Sequence, residues 1–403
     1  MPEASRTVLV AGGGIAGLTA ALCLAAKGFR VDLFEQADGF ETVGAGLQIS
    51  PNAFHVLEGL GIGRAVKTVA TGPNAIRIMS ARSNRQISQI PLGARAIERY
   101  GAPYLVVHRA DLQQVLAGAA RANPDIVLHM GKRIDDVASH ANGITALAYG
   151  EGRIEEHLGA ALVAADGVWS KLRSAHFGGA DARFSGFLAW RGLVAADQLP
   201  GAQDLENIQL WLAPRAHAVT YPVRNGRYLN AVVVTRAADR QEPQRGWIQE
   251  CDVSELAKSL VNWHPSIQAL LKHRTRWTRW PLYIAPRLKA WNHGPLALIG
   301  DAAHAMLPFA AQGAAMAIED ASVLADSLAP TLDGGLPLQQ ALENYSAARR
   351  TRISRMKRLT QINRAIYHLP EPLGFARNLA MIALGGNRLL ARQDWIYDWH
   401  PAE

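Results

Sequence analysis

An α/β fold, with a parallel-sheet domain interrupted by a β-rich insertion and followed by C-terminal helices, is predicted by three stretches of this sequence. The first is VLVAGGGIAGLTAALCLAAKGFRVDLFE, from Val8 to Glu35. The second is the change from about Arg183, where short apolar strands replace strand–helix alternation. The third is the return of a buried-strand pattern at Pro295–Ile299, running into the Ala-rich stretch Gly300–Ala321. The boundaries implied are 1–180 and 291–335 for the two parts of the parallel-sheet domain, 181–290 for the insertion and 336–403 for the helical tail. A chain of 403 residues can hold two joined domains with sizeable cores.

In the first stretch, Val8, Leu9 and Val10 read as a buried parallel strand. Gly12, Gly14 and Gly17 give GxGxxG at the turn, Leu18–Ala26 is strongly helix-forming, and Arg30–Phe34 is a second strand. The physics fits a Rossmann-like dinucleotide site. Gly12 allows a tight turn, Gly14 lets backbone approach a pyrophosphate, and Gly17 lets helix pack on strand. The helix N-terminus offers free N–H groups to phosphate, and Glu35 stands where a carboxylate accepts ribose hydroxyls. The alternatives are a Gly-rich loop without ligand and a membrane or secretory segment, since Val8–Ala26 carries no charge. The consecutive glycines and the sparse charge before them, Arg6 offset by Glu3, argue against the latter.

Apolar content of 49% and charged content of 19% describe an ordinary globular chain. Cys23 and Cys251 form no CxxC and no disulfide framework, so a cytoplasmic location is expected and a flavin–disulfide reductase is disfavoured. Net charge of +8 draws anionic ligands without indicating nucleic acid. The basic run Arg349–Arg358 alternates with Ile353, Met356 and Leu359 at helical spacing, which reads as a solvated helix face, with a polyanion site as the alternative.

Taken in order, GAGLQIS from Gly44 to Ser50 leads to a helix capped by Ser50 and running to Gly59. Strands are expected at Ala75–Ser80 and Gln86–Pro91, and VHRADLQQVL gives a strand end and a helix with Arg109 near its start. A cation there opposes the helix dipole unless an anion is near, which makes Arg109 a phosphate candidate. Further strands are expected near Ile126–His129, Gly143–Tyr149 and Leu158–Val163. Asp166–Gly167 then turns the chain into a helix containing Ser170 and Arg173. The insertion reads as strands Phe184–Val194, Ile208–Leu212, Ala218–Val223 and Tyr228–Thr235, with a hairpin turn at Asn225–Gly226. Helices Val253–Trp263 and Pro265–His273 and a strand Trp280–Ile284 follow. The tail is helical over Leu336–Arg364 and Leu373–Leu390, ending in DWIYDWHPAE.

GxGxxG with Glu35, the DG of Asp166–Gly167, and the GD of Gly300–Asp301 with its Ala-rich helix occur in an order that resembles the FAD-dependent aromatic monooxygenases. These are the single-component flavin hydroxylases of the p-hydroxybenzoate and salicylate hydroxylase type, and the resemblance extends to Arg109 and DWIYDW. It implies that Gly12, Gly14 and Gly17 bind the pyrophosphate of non-covalent FAD, Glu35 the ribose, Arg109 the phosphates and Asp301 the ribityl chain. It also places Gln48, Pro308, Gly313 and Ala314 at the flavin, with the backbone N–H groups of the Gly313–Ala321 helix facing the pyrimidine edge. Asp166 resembles the residue tied to both FAD and NAD(P)H, while a plain N-cap role stays open for it. Many relatives carry Asn where this chain has Ala315, which leaves a backbone role only. Trp277-Thr278-Arg279-Trp280-Pro281 stands in place of the WxWxIP of flavin-dependent halogenases, so halogenation is disfavoured.

The resemblance implies an NADH- or NADPH- and O2-using hydroxylation of a small aromatic acid through a flavin hydroperoxide. No metal is required, and no His/Cys cluster has ligand spacing. A flavin oxidase or dehydrogenase, and a non-catalytic FAD-binding protein, are the alternatives. Neither nucleic acid nor membrane is an expected partner, and a homodimer is left open. His304 is read as structural. Arg191 in AWRG and Phe309 are the substrate-binding candidates, a surface arginine being the plainer reading of Arg191. In AHAVTYPV, His217, Val219 and Tyr221 share one face, the outer two about 13 Å apart along the strand. That spacing brackets a small ring, with His217 to take a phenolic proton near neutral pH and Tyr221 to relay it. The pair resembles the pocket of 3-hydroxybenzoate 6-hydroxylases and 6-hydroxynicotinate monooxygenases, and GDAAHAMLP resembles salicylate hydroxylases. A scaffold role for both residues is the alternative.

Overall fold

The glycine turn lies inside a six-stranded sheet whose central strands are apolar on both faces. The computed structural model describes residues 6–40, 45–178, 181–199, 204–237, 249–250, 253–272 and 277–402. Gly44, Cys251 and His273 lie outside the described residues. Strands β1 (Thr7–Ala11) and β2 (Arg30–Glu35) are joined by helix α1 (Ile15–Ala26). A small antiparallel sheet has the order β3-β7-β4. It is built from β3 (Gly46–Ile49), β4 (Ala70–Thr71) and β7 (Leu105–His108). Helices α2 (Pro51–Gly59), α3 (Gly63–Val69) and α4 (Gly93–Tyr100) lie along this part of the chain. Between them run β5 (Ala75–Ser80) and β6 (Gln86–Pro91).

Helix α5 (Arg109–Ala122) and β8 (Ile126–Met130) return the chain to the parallel sheet. An antiparallel meander follows, β9 (Arg133–His140), β10 (Gly143–Gly150) and β11 (Arg153–Gly159), before β12 (Ala161–Ala164). The single strand expected over Leu158–Val163 is therefore two, broken at Ala160. Gly159 packs so closely on β1 that a Cβ there would lie 2.8 Å from Leu9 Cγ, and the chain changes sheets at this contact. Strands β9 and β11 escape a reading by apolar pattern because their residues are mostly polar and solvated.

After α6 (Lys171–His176) comes the large sheet: β13 (Arg183–Ala195), β14 (Ile208–Ala213), β15 (Ala216–Val223) and β16 (Tyr228–Arg236). Then come β17 (Gln249–Glu250), α7 (Val253–Ser259), α8 (Pro265–Gln268) and β18 (Thr278–Ile284). The eight strands run β17-β18-β13-β16-β15-β14-β5-β6, so two of them come from the first 180 residues. Here β14 and β5 pair in parallel. Trp190, Trp211 and Val233 on one face pack against Leu256, Leu260 and Trp263 around α7. Phe187, Ala189, Val234 and Trp280 on the other meet Leu307 and Phe309.

Strands β19 (Asn292–His293) and β20 (Leu296–Leu298) complete the six-stranded sheet, in the order β19-β20-β12-β1-β2-β8. Helices α9 (Gly300–His304) and α10 (Gly313–Leu328) follow. The alanines of α10 let it lie against α1, where a Cβ on Gly300 would come within 3.3 Å of both Ala16 and Ala317. The tail is α11 (Leu338–Tyr367), α12 (Leu373–Ala391) and α13 (Asp394–Tyr397). Helix α12 lies along β6, and at Gly386 a Cβ would sit 1.9 Å from the carbonyl oxygen of Gln89.

The basic run on α11 is not one solvated face. Arg349 is buried and its guanidinium donates to both Glu319 and Asp320 at 2.7 Å, while Arg352 pairs with Glu319. The two buried acids of α10 require these cations, because an unpaired buried carboxylate is costly.

Candidate cofactor cleft and substrate face

Gly12 has φ +109°, and a Cβ there would lie 2.5 Å from the Ala165 carbonyl oxygen. A Cβ on Gly17 would lie 1.8 Å from the Gly12 oxygen, whereas Gly14 has nothing within 4 Å. Thus Gly12 and Gly17 close the turn and Gly14 faces open space. Helix α1 begins there with no side-chain cap and no acid in its first turn, leaving its N–H groups free for an anion. Glu35 sits across the turn, accepting from Gly13 N at 2.7 Å and Ala37 N at 2.9 Å. Gln113 donates to the Gly13 carbonyl at 2.9 Å.

Gly12, Gly14, Glu35 and Gln113 line a cleft of about 520 Å³, which Arg109, Asp166, Gly167 and Trp280 also line. The Oδ1 atom of Asp166 is buried with no hydrogen-bond partner, and burial raises its carboxyl above the usual range. Asp166 is not the cap of α6. Ser170 caps it, its hydroxyl accepting from Arg173 N at 2.9 Å. Buried Arg173 donates to Val168 O at 2.8 Å and to Ala302 O at 2.9 Å, tying the DG turn to α9. An open glycine, an uncapped helix and an orphaned carboxylate oxygen in one cleft fit a dinucleotide.

Asp301 is exposed at the start of α9. The turn before it is held from below: Gly300, at φ +58°, donates to Asp320 Oδ2 at 2.9 Å. His304 Nε2 meets the same oxygen at 2.5 Å, and His304 is not among the residues that line the glycine-turn cleft. Burial alone would raise Asp320, but His304 and Arg349 outweigh it and hold the carboxyl down at about 2. Pro308 and Phe309 lead to α10, which starts at Gly313 without a side-chain cap. Gly313 has nothing within 4 Å, and Ala314 is partly exposed while Ala315 is buried. Ser50 stands at the N-cap of α2, yet its hydroxyl does not cap. It donates to Asn52 Oδ1 at 2.5 Å and accepts from Gln312 Nε2 at 2.9 Å, pinning the residue before Gly313. Gln48 accepts from the Tyr104 hydroxyl at 2.5 Å.

The substrate candidates lie on β15 and its neighbours. Tyr221 is buried against β3, where a Cβ on Gly46 would lie 2.5 Å from its ring. Burial keeps its phenol protonated far above the usual range, with Arg191 pulling the other way. Arg191 is no surface residue: its guanidinium lies 4.5 Å over the Trp280 ring and its Nε is buried without a partner. Burial, opposed by Tyr221 and assisted by Arg109, pushes it down to about 10.

His217 is enclosed. Its ring lies 4.8 Å from Phe309, 5.4 Å from Tyr367 and 5.1 Å from His368, and its Nδ1 is 2.9 Å from His368 Nε2. Burial, then His368, holds His217 well below the usual histidine range, and burial with nearby arginines pushes His368 down to about 4. The expected titration of His217 near neutrality is corrected accordingly: the resting pair is neutral.

Sequence reasoning missed His368, Tyr367, Gln113, Arg173 and the Ser50–Gln312 pair, which come from segments far apart in the chain. It also missed Asp32, His129 and His157, from three strands, whose ligand atoms lie within 4.8 Å of one another. The adjacent acids Glu319 and Asp320 within the Ala-rich stretch were the legible signal for Arg349 and Arg352.

The family described as FAD binding domain matches residues 5–360. The chain is 33% identical over 400 residues to 3-hydroxybenzoate 6-hydroxylase 1 of Aquipseudomonas alcaligenes, covering 99% of each. To 6-hydroxynicotinate 3-monooxygenase of Pseudomonas fluorescens it is 32% identical over 361 residues, covering 89% of this chain and 91% of the relative. Among solved structures, a salicylate hydroxylase substrate complex superposes with TM-score 0.81 at 27% identity, covering 98% of this chain and 96% of that one. Among the described residues no helix is long and apolar enough to cross a membrane.

Proposed function

The chain belongs to the FAD-binding-domain family, and from that membership we propose that it is a monooxygenase using NADH or NADPH and O2 to hydroxylate a small aromatic acid. The acid is of the hydroxybenzoate, salicylate or hydroxynicotinate type. The observation that carries this reading is Arg191. Its guanidinium is largely buried beside Tyr221 and Trp280, its Nε has no partner, and among the described residues no carboxylate pairs with it. A desolvated cation without a counter-ion is costly, and an acid substrate supplies the missing carboxylate.

Bound FAD supplies the acceptance of hydride and the activation of O2. The residues that hold it are Gly12, Gly14, Gly17, Glu35, Gln48, Arg109, Asp166, Asp301, Pro308, Gly313 and Ala314. Tyr221, kept protonated, donates to a substrate oxygen. His217, kept neutral, accepts the proton of a ring hydroxyl, and its bond to His368 fixes the orientation of the imidazole. Phe309, packed on His217, forms an apolar wall that excludes water.

Purified protein is expected to be yellow and to release FAD on heating. Screening 3-hydroxybenzoate, salicylate and 6-hydroxynicotinate for stimulated NADH or NADPH oxidation, with product counted per nucleotide consumed, tests the reading. Hydrogen peroxide as the sole product with every acid makes the protein an oxidase; no nucleotide oxidation at all makes it a passive flavin binder. Arg191→Gln should raise the KM for the acid while leaving FAD content unchanged. We also assign the 1–180 and 291–335 segments to cofactor binding, 181–290 to substrate binding and 336–403 to a helical region, in a cytoplasmic enzyme. A homodimer has an apolar surface available in Phe375, Leu379 and Ile382, exposed on one side of α12. Sedimentation velocity decides it.

A further inference from the structure

A second cavity, of about 890 Å³, lies between α11, the segment from Ile284 to Trp291 and the stretch Ala305–Leu307. Arg183, Arg287, Lys289, Arg350, Lys357 and Arg358 line it, Arg364 extends the same wall, and no aspartate or glutamate does. The α11 cations recur at helical spacing, so they form one stripe. Arg349 and Arg352, also on α11, are by contrast matched by Glu319. Among the described residues none of the seven, Arg364 included, has a carboxylate within ion-pair distance. Lys357 is the deepest expression of this imbalance: burial, then Arg287 and Arg173, pushes its ammonium down to about 8. Gathering like charges around a cavity is unfavourable unless an anion enters it. The cofactor cleft differs, since Glu35, Asp135 and Asp166 share it with Arg109 and Lys132.

Two features connect this cavity to the chemistry. Its wall at Ala305–Leu307 runs directly into Pro308 and Phe309, beside His217. Arg173, whose charge is felt by Lys357, is the residue that ties the DG turn to α9. The volume falls within the range of small-molecule and cofactor sites.

We propose that this cavity docks the pyrophosphate of the reduced nicotinamide dinucleotide, an inference that rests on the hydroxylase reading. Guanidinium and ammonium groups on two opposed walls clamp the diphosphate, in a site separate from the one that holds the FAD pyrophosphate.

The test uses holoenzyme and the double variant Arg350→Gln/Arg358→Gln, two exposed positions whose loss spares the core. Anaerobic reduction of bound FAD by NADH and by NADPH, without aromatic acid, reads nucleotide docking independently of hydroxylation. The half-saturating nucleotide concentration should rise about tenfold or more, with the limiting rate within about twofold and FAD content unchanged. Inorganic pyrophosphate should compete with the nucleotide in the wild type and compete more weakly in the variant. A half-saturating concentration within twofold of wild type overturns the inference, as does pyrophosphate inhibition that is not competitive with nucleotide. A rise confined to the KM of the aromatic acid also overturns it, by giving the cavity to the acid. Wild-type protein whose FAD neither nucleotide reduces, with or without the aromatic acids, sinks the hydroxylase reading itself.

Discussion

The glycine turn and the His217 face are built in opposite ways. Gly12, Gly14, Gly17 and Glu35 lie within one strand–helix–strand unit, and backbone geometry alone brings them together. His217, Arg191, Tyr221, Phe309 and His368 come from β13, β15, the approach to α10 and the end of α11. The first region tolerates little because its atoms already touch; the second is adjustable, because its character comes from which side chains are packed around it. Steric limits therefore govern the glycine turn, and burial of charge governs the His217 face.

Exchanging neighbouring glycines breaks the comparison most directly. Gly17→Ala places a Cβ 1.8 Å from a backbone oxygen and should abolish FAD retention and most folded protein. Gly14→Ala meets nothing within 4 Å and should fold normally while weakening FAD binding. Circular dichroism and bound-flavin absorbance separate the two; equal folding yields would show that the turn is not sterically set.

Arg349→Ala asks whether buried charge governs the parallel-sheet region as well. It leaves Glu319 and Asp320 short of their cation and should cost about 3–5 kcal/mol, seen as a lowered urea midpoint. A loss below about 1 kcal/mol would mean that Arg352 and His304 suffice.

The neutral histidine pair predicts an acid-sensitive fold. An unfolded histidine titrates near 6.5, while His368 in the fold stays neutral down to about 4. Between those values the unfolded chain binds more protons, so stability declines as pH falls through that window, by up to about 3 kcal/mol. His368→Gln should flatten that part of a Tm-against-pH curve; an unchanged slope would place the sensitivity elsewhere.

On the His217 face itself, His217→Ala should leave FAD content and nucleotide-driven reduction intact. Product per nucleotide consumed should fall about tenfold or more, with hydrogen peroxide making up the difference. Tyr221→Phe should have the smallest effect, weakening the acid by about 1 kcal/mol, the loss of one hydrogen bond. Wild-type coupling and KM in both variants would return these residues to the scaffold.

The sequence was most legible where neighbours in the chain are neighbours in space. The strand–glycine–helix unit, the helix starting at Arg109 and the strands of the insertion follow from local pattern. The join between β14 and β5 does not, since nothing in Ala75–Ser80 records that its partner is Ile208–Ala213. Ser50 shows the same limit: a serine before Pro51 reads as a helix cap, yet a distant Gln312 takes its hydroxyl. His217 was visible as a histidine on a strand face, but its basicity depends on His368, which reaches it from 151 positions away. Arg191 looked like an ordinary strand arginine because burial is a property of the packed sheet.

The contact between α12 and β6 has a consequence for the molecule's dealings with its own copies. Strand β6 ends the eight-stranded sheet, and a terminal strand offers unpaired backbone groups to any extended segment that meets it. Gly386, with no Cβ to hold the helix off, brings α12 onto the carbonyl of Gln89 and covers that edge. Helix α12 thus acts as a guard on this edge of the sheet: with it in place, recruitment of a foreign strand at β6 is blocked.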